Sequence, residues 1–266
     1  MTRLTLEPHG DVTRVRLSHW RSRAVGYEVS TYLTRGVMID SGFPAAAADV
    51  VRLARERGVG AALITHHHED ASGGAPALAA AGIPLAMPAE VARLVLAHEP
   101  VPLYRRITWG TPEPLGAYTP AGPVSGLELI PSPGHSHDHH VVWDAERRTL
   151  FGGDLFLGVK VRVAHPEENP RLLVQTLRRF AALEPVRLFD AHRGAIANPA
   201  TALRLKADWI EEMIAAVDDR IARGWSDDEI RRELLGREAF SSFVSRGEYG
   251  KKNFIASIRG GPTAHH

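Results

Sequence analysis

The chain has 266 residues, 44% hydrophobic and 24% charged, with no Cys and a formal net charge of +1. That length supports one large domain, or one domain plus a small appendage, with ample core. Near-zero charge removes the broad electrostatic ground for a nucleic-acid or membrane-surface binder, and zero Cys excludes disulfides, thiolate metal sites and thiol nucleophiles. The outlier is histidine: fourteen in all, three of them at 66–68 and four within 135–140.

Residues 1–12, MTRLTLEPHGDV, are too polar for the apolar core of a signal peptide, and no window approaches the roughly 18 apolar residues of a membrane helix. A soluble cytoplasmic protein is the expectation. His265 and His266 follow Gly260-Gly261-Pro262 and are set aside.

The first 40 residues read as strands. Leu4 and Leu6 alternate with polar residues, as does the run Val12 to Leu17, with His9-Gly10-Asp11 as the turn between them. Tyr27 to Leu33 and Val37 to Ile39 continue the pattern around a turn at Arg35-Gly36. An Ala-rich helical segment then runs from Pro44 to about Arg57, stopped by Gly58, and Val59 to Thr65 is a short apolar strand. Helices are expected from about Gly74 and over Ala89 to His98.

The Pro- and Gly-rich stretch from Glu99 to Pro123, with Tyr104, Trp109 and Tyr118, reads as a loop or hairpin able to overhang a site. Its aromatics serve equally well as anchors of a long loop. Strand-like pieces follow at Gly126 to Ile130, His140 to Trp143 and Thr149 to Phe151. A helix through Leu173, Leu177 and Phe180 leads to a strand at Val186 to Phe189. Beyond Asn198 the pattern is helical: Leu203, Ile210, Ile214, Val217 and Ile221 share one face of a long helix ended by Gly224. Ser226 with Glu229 forms a capping box for a shorter helix closed by Gly236, and a last helix covers Lys251 to Ile258. Two sheets with helices on their outer faces, followed by a helical appendage, is the simplest packing.

Four histidine or aspartate blocks end predicted strands. In Thr65-His66-His67-His68-Glu69-Asp70-Ala71, His66 and His68 are two apart and in extended backbone point the same way, so one strand end can hold an ion; Asp70 repeats the step. The second block is Pro133-Gly134-His135-Ser136-His137-Asp138-His139-His140. Gly152-Gly153-Asp154 and Ala191-His192-Arg193-Gly194 complete the set. Imidazole and carboxylate donors without thiolate suit Zn, Fe, Mn or Co.

These blocks, together with Ile39-Asp40-Ser41-Gly42, resemble the metallo-β-lactamase superfamily over roughly residues 10 to 200, in the order in which that family carries them. The resemblance implies an α/β fold, the αββα sandwich, over residues 1–198, with residues 199–266 as a small all-helical, winged-helix-like extension. It makes His66, His68 and His135 the ligands of a first metal, Asp154 a bridge between two metals, and Asp70 with His192 the holders of the second. Asp40 and His139 become supporting groups behind the ligands. The family usually has His immediately after the Asp of the signature, where this chain has Ala71. A complete first site and a weakened second one are therefore expected, with His67 or Glu69 as substitute ligands only if the backbone bends.

The implied activity is that of a metal-dependent hydrolase, in which a metal-bound hydroxide attacks an ester, thioester or lactone of a small molecule and Asp70 orients the water and relays its proton. One or two Zn ions are expected, with Fe or Mn as alternatives. Two other readings stay open: an endoribonuclease using Arg246, Lys251, Lys252 and Arg259 of the extension as an RNA clamp, and a non-catalytic metal-binding relative. Lys160 is a candidate contact for an anionic substrate or a solvated rim residue. A homodimer is compatible with the apolar helix faces.

Overall fold

The computed structural model describes residues 2–24, 26–124 and 126–260. His265 and His266 lie outside the described residues. The chain divides into two compact units. The first comprises the described residues up to Pro131 with Asp138–Asp154 and Arg187–Ile196; the second comprises Ser132–His137, Leu155–Val186 and the described residues from Ala197 onward.

The first unit holds both sheets. One contains β1 (Thr2–His9), β2 (Val12–His19), β3 (Val29–Thr34), β4 (Val37–Ile39), β5 (Ala61–Leu63) and β6 (Leu85–Ala86), in that order. Its first four strands pair antiparallel, β1–β2 and β3–β4 through two-residue turns and β2–β3 across a longer connection that carries a short helix, and β4–β5 and β5–β6 are parallel, each joined by a helical crossover. The other contains β7 (Glu128–Pro131), β8 (His140–Asp144), β9 (Thr149–Phe151), β10 (Arg187–Asp190) and β11 (Gly194–Ile196), in the order β11-β10-β9-β8-β7. Only β9–β10 is parallel there.

The sheets meet face to face. Val12, Tyr32, Ile39 and Leu63 of the first pack with Val142, Phe151 and Phe189 of the second. The Tyr32 ring lies 5.6 Å from that of Phe151 and 5.2 Å from that of Phe189, and its hydroxyl donates to the carbonyl of Asp190 at 2.6 Å. Burying the ring and satisfying its hydroxyl in one place ties the β3 face to the end of β10, where His192 follows.

Six helices belong to this unit: α1 (Trp20–Ala24), α2 (Ala47–Glu56), α3 (Glu69–Ser72), α4 (Ala75–Ala80), α5 (Ala89–Ala97) and α6 (Leu103–Trp109). Val50 and Leu53 of α2 and Leu78 of α4 cover the outer face of the first sheet against Val15, Leu17, Met38 and Ile64. The alternation of β2 is thus genuine, with one set of side chains turned to each layer.

The second unit contains no strand among the described residues. It consists of α7 (Pro170–Ala182), α8 (Pro199–Ala222), α9 (Asp227–Leu234), α10 (Phe240–Val244) and α11 (Lys251–Gly260), with the loops before them. The capping box expected at Ser226 and Glu229 forms. Helix α7 packs against α8, and α11 against α7, α8 and α9.

The stretch 99–123 differs from its reading as a loop: Pro102 and Gly110 bracket α6. Trp109 and Tyr118 anchor it to the core, Trp109 with its ring 5.3 Å from that of Phe43. Among the described residues no helix is long and apolar enough to cross a membrane.

Candidate metal centre

The site grows from the ends of β4, β5, β9 and β10. At the end of β5 the chain leaves the sheet through Ile64 and Thr65 and delivers His66 and His68, both buried, with ring centroids 4.7 Å apart. Asp40, just beyond β4, sits in the left-handed region at φ 57. That conformation aims its buried carboxylate at Thr65, whose amide N–H donates to Oδ1 at 2.8 Å and whose hydroxyl lies 2.9 Å from Oδ1 and 3.0 Å from Oδ2. The Thr65 Oγ1 is in turn 3.0 Å from Nδ1 of His66. When Thr65 donates to Asp40 it accepts from Nδ1–H, and this leaves Nε2 of His66 as the nitrogen suited to a metal. Burial pushes the Asp40 carboxyl up to about 6, against the pull of His66 and of the Thr65 hydrogen bonds.

Asp154 follows β9. Its amide N–H donates to Nε2 of His139 at 3.0 Å. His139 is fully buried, and burial pushes its imidazole down to about 3, so the ring is neutral and accepts. Gly153 permits this approach: it has φ 50, and a Cβ there would lie 2.8 Å from His139 Nε2. His66, His68 and Asp154 bring their ligand atoms within 4.8 Å of one another.

A second group, Asp70, Asp154 and His192, converges within the same limit. Nε2 of His192 lies 3.3 Å from Asp70 Oδ2 and 3.5 Å from Asp154 Oδ1. Its Nδ1 lies 2.9 Å from the carbonyl of Glu28, to which it can only donate, so the ring is oriented with Nε2 toward the carboxylates. The turn carrying it is fixed by Asp190, whose Oδ1 accepts from the amides of His192 and Arg193 at 2.8 Å each. Burial opposes charge on His192, but Asp154 and Asp70 outweigh it and raise the ring well above the usual imidazole range. Burial likewise works to raise Asp70, and the hydrogen bond and charge of His192 overcome it, holding the carboxyl at about 2.

The residues fit a divalent cation. Two carboxylates gathered around one imidazole nitrogen hold a proton where a metal ion would compete for the same lone pairs, so uptake would release a proton. Oxygen and nitrogen donors without sulfur suit Zn, Fe or Mn.

His135 lies on the segment Ser132–His137, which belongs to the second unit. It is buried, and the turn carrying it is pinned to the start of α7. Asn169 donates its amide to Gly134 O at 2.7 Å, and Thr176 donates its hydroxyl to Pro133 O at 2.7 Å. Gly134, at φ 137, is required there, since a Cβ would lie 2.6 Å from the Leu173 Cα.

The two substitute ligands are engaged elsewhere. Glu69 accepts from Arg105 of α6 in a bidentate pair, at 2.6 Å to Oε1 and 2.5 Å to Oε2. The His67 amide donates to Asp138 Oδ2 at 2.8 Å, and its Nδ1 lies 2.9 Å from Oδ1. His137 is exposed, and Nδ1 of the half-buried His140 meets the Asp138 carbonyl at 2.7 Å. Thr65, Asp190, Arg105 and the Glu28 carbonyl carry parts of the site that the sequence reading did not single out. Thr65 and Asp190 had one available signal, since each directly adjoins a histidine block.

The family model of the Metallo-beta-lactamase superfamily matches residues 26–208. Solved structures share the fold at low identity. A metallo-beta-lactamase family protein from Thermus thermophilus is 17% identical with a TM-score of 0.59, covering 97% of this chain and 90% of its own. Metallo-beta-lactamases from Pontibacter korlensis and Hirschia baltica are 16% and 20% identical, each with a TM-score of 0.57, covering 79% and 78% of this chain and 99% and 97% of their own. A curated relative from Caenorhabditis elegans, described as a beta-lactamase-like protein 2 homolog, is 35% identical over 66 residues; these are 25% of this chain and 21% of the relative's length. Fold and sequence define an α/β protein with two sheets and a convergent His/Asp cluster. The chain belongs to the metallo-beta-lactamase superfamily, whose members are in general metal-dependent hydrolases.

Proposed function

We propose that the chain is a hydrolase of a small carbonyl substrate, an ester, thioester or lactone, working with one tightly and one more weakly held divalent ion. The observation that carries this reading is that Asp154 belongs to both ligand groups, so two cation positions share one carboxylate. In this reading His66, His68 and His135 hold the first ion and Asp70 with His192 the second, with zinc as the leading candidate and iron or manganese as alternatives. When bound, such an ion would supply Lewis acidity, bringing the pKa of a water down to about 7 and polarising a carbonyl.

The chain's own groups do the rest. Asp70 accepts a hydrogen bond from the attacking water, orients it and relays its proton. His139 holds the Asp154 amide, and Asp40 through Thr65 holds the His66 ring, so neither ligand has to reorganise as charge develops. No Ser or Cys nucleophile is needed.

The tail supports this reading over an RNA clamp. Lys251 spends its ammonium on the carbonyls of Leu235 and Arg237, and Arg259 pairs with Asp227 and donates to Trp225 O. Two of its four basic residues thus serve helix packing. The test is a panel of lactone, thioester, phosphodiester and β-lactam substrates on metal-reconstituted protein. Lactone or thioester turnover that chelator abolishes is expected. Phosphodiester cleavage with salt-sensitive RNA binding would replace this reading with the nuclease one. Silence across the panel with ion bound would make the chain a binding module.

A further inference from the structure

Among the described residues of the first unit, four of the five exposed large apolar side chains belong to one small region. Trp20 is on α1, Leu103 and Ile107 are on α6, and Tyr27 follows α1; each is 49% to 61% exposed. Helix α1 packs against α6, and the Tyr27 ring lies 6.2 Å from that of Trp109, so these elements form one surface. Single apolar side chains are ordinary on a protein surface, whereas a contiguous group marks an interaction site. Helix α6 explains the outward group. Arg105 and Trp109, one turn apart, turn inward to Glu69 and Phe43. Leu103 and Ile107, also one turn apart, share the opposite face.

The charge carried by these two helices has one sign. Neither contains an acidic residue, and Arg21, Arg23 and Arg106 are exposed. The Arg21 guanidinium sits 5.0 Å from the centre of the Trp20 ring. Glu28, beside Tyr27, already pairs with Arg16 at 3.7 Å, and Glu99 and Glu113 lie outside both helices. A net charge of +1 excludes a field over the whole molecule but not a local patch of this kind. Apolar side chains flanked by arginines suit the boundary of an anionic bilayer, where rings and aliphatic groups bed at headgroup level and guanidinium groups meet phosphates. A second copy of the chain would set arginine against arginine across a two-fold axis. A single-stranded nucleic acid would find no stacking plane on Leu103 or Ile107. We propose that the α1–α6 face docks the protein on an anionic lipid surface, with Trp20, Tyr27, Leu103 and Ile107 entering the boundary and Arg21, Arg23 and Arg106 meeting lipid phosphates. The attachment is peripheral and reversible, and it holds whatever substrate the metal centre takes.

The test is co-sedimentation with vesicles of phosphatidylcholine alone and of phosphatidylcholine mixed with phosphatidylglycerol, at low and high salt. The native chain is expected to pellet with the mixed vesicles, at least tenfold more strongly than with phosphatidylcholine, and to be released by salt. Arg21→Ser and Arg106→Ser should each weaken partition by roughly fivefold. The pair Leu103→Ser and Ile107→Ser should reduce it by about tenfold or more while Tm stays native, since both side chains are exposed. Phe243, 82% exposed on the second unit, supplies the control: Phe243→Ser should leave partition unchanged. No binding to the mixed vesicles at low salt, native binding in the α6 variant, or an equal loss in Phe243→Ser would overturn the proposal. A native dimer that Ile107→Ser dissociates, seen by sedimentation velocity without lipid, would assign the face to a second copy instead. Single-stranded RNA binding lost in the α6 variant would assign it to nucleic acid, and either result would equally overturn the lipid proposal.

Discussion

The two ligand groups share Asp154 but are braced by different means. His66, in the first, is held by a hydroxyl relay to a buried carboxylate, and Asp40 reaches it only because the backbone enters the left-handed region. The second group relies on Asp70, carried by the single turn α3, and on His192, whose ring is oriented by a backbone carbonyl and whose turn is fixed by Asp190. Ala71, where the family's usual histidine would stand, is buried within that same turn. On the proposed reading, one missing side chain weakens a site through ligand number, while the surrounding braces stay intact. On the same reading, two carboxylates and one imidazole would still hold a cation, but with fewer neutral donors to fill its shell.

The largest expected effect is that of Asp154→Ala. It should remove both ions together and cost more than the roughly 10- to 100-fold typical of supporting residues, read as metal per chain and as kcat/KM. One ion retained at native affinity would show that the groups are independent. Next, His66→Ala and His192→Ala should each abolish a different uptake step, with Zn2+ titration separating them. Loss of the same step in both would merge the two groups into one site. Asp40→Asn keeps the side chain's shape and tolerates a positive φ, so it isolates the charge. About tenfold weaker binding at the first site alone is expected, at the low end for a supporting carboxylate.

Ala71→His should tighten the weaker ion and leave the tighter one unchanged. The smallest effect is that of Glu69→Gln. Because Glu69 is engaged by Arg105, both uptake steps should persist, and loss of one would make Glu69 a ligand after all.

The sequence made the ligand blocks legible because chemistry concentrates rare residue types: His66, His68, Asp70, Asp154 and His192 come together in the structure as two groups. Long periodic elements were legible for the same reason that they are stable, as in β2 with its alternating faces and α8 with its one apolar stripe. Short elements were hidden. Helices α1, α3 and α10, of five, four and five residues, have too few turns to display a period. Strand β6, of two residues, pairs through its neighbours more than through its own sequence. Helix α6 was masked by flanking Pro and Gly, which bracket it instead of breaking it.

The braces were partly invisible. Asp40 and His139 follow from the resemblance, but Thr65 between Asp40 and His66 depends on a backbone dihedral, and the Glu28 carbonyl leaves no mark in any side chain. Arg105 lies 36 residues from Glu69, and the packing of α6 on the core, with Trp109 against Phe43, brings the two together.

The central claim is two cation positions of unequal strength sharing Asp154. Its most direct test is a Zn2+ titration of the metal-free native chain beside Ala71→His, with bound metal counted by elemental analysis. The account predicts two separate uptake steps in the native chain, the weaker of which moves toward the tighter in the variant. Two equally tight ions in the native chain, or a weaker step that the substitution leaves in place, would contradict it.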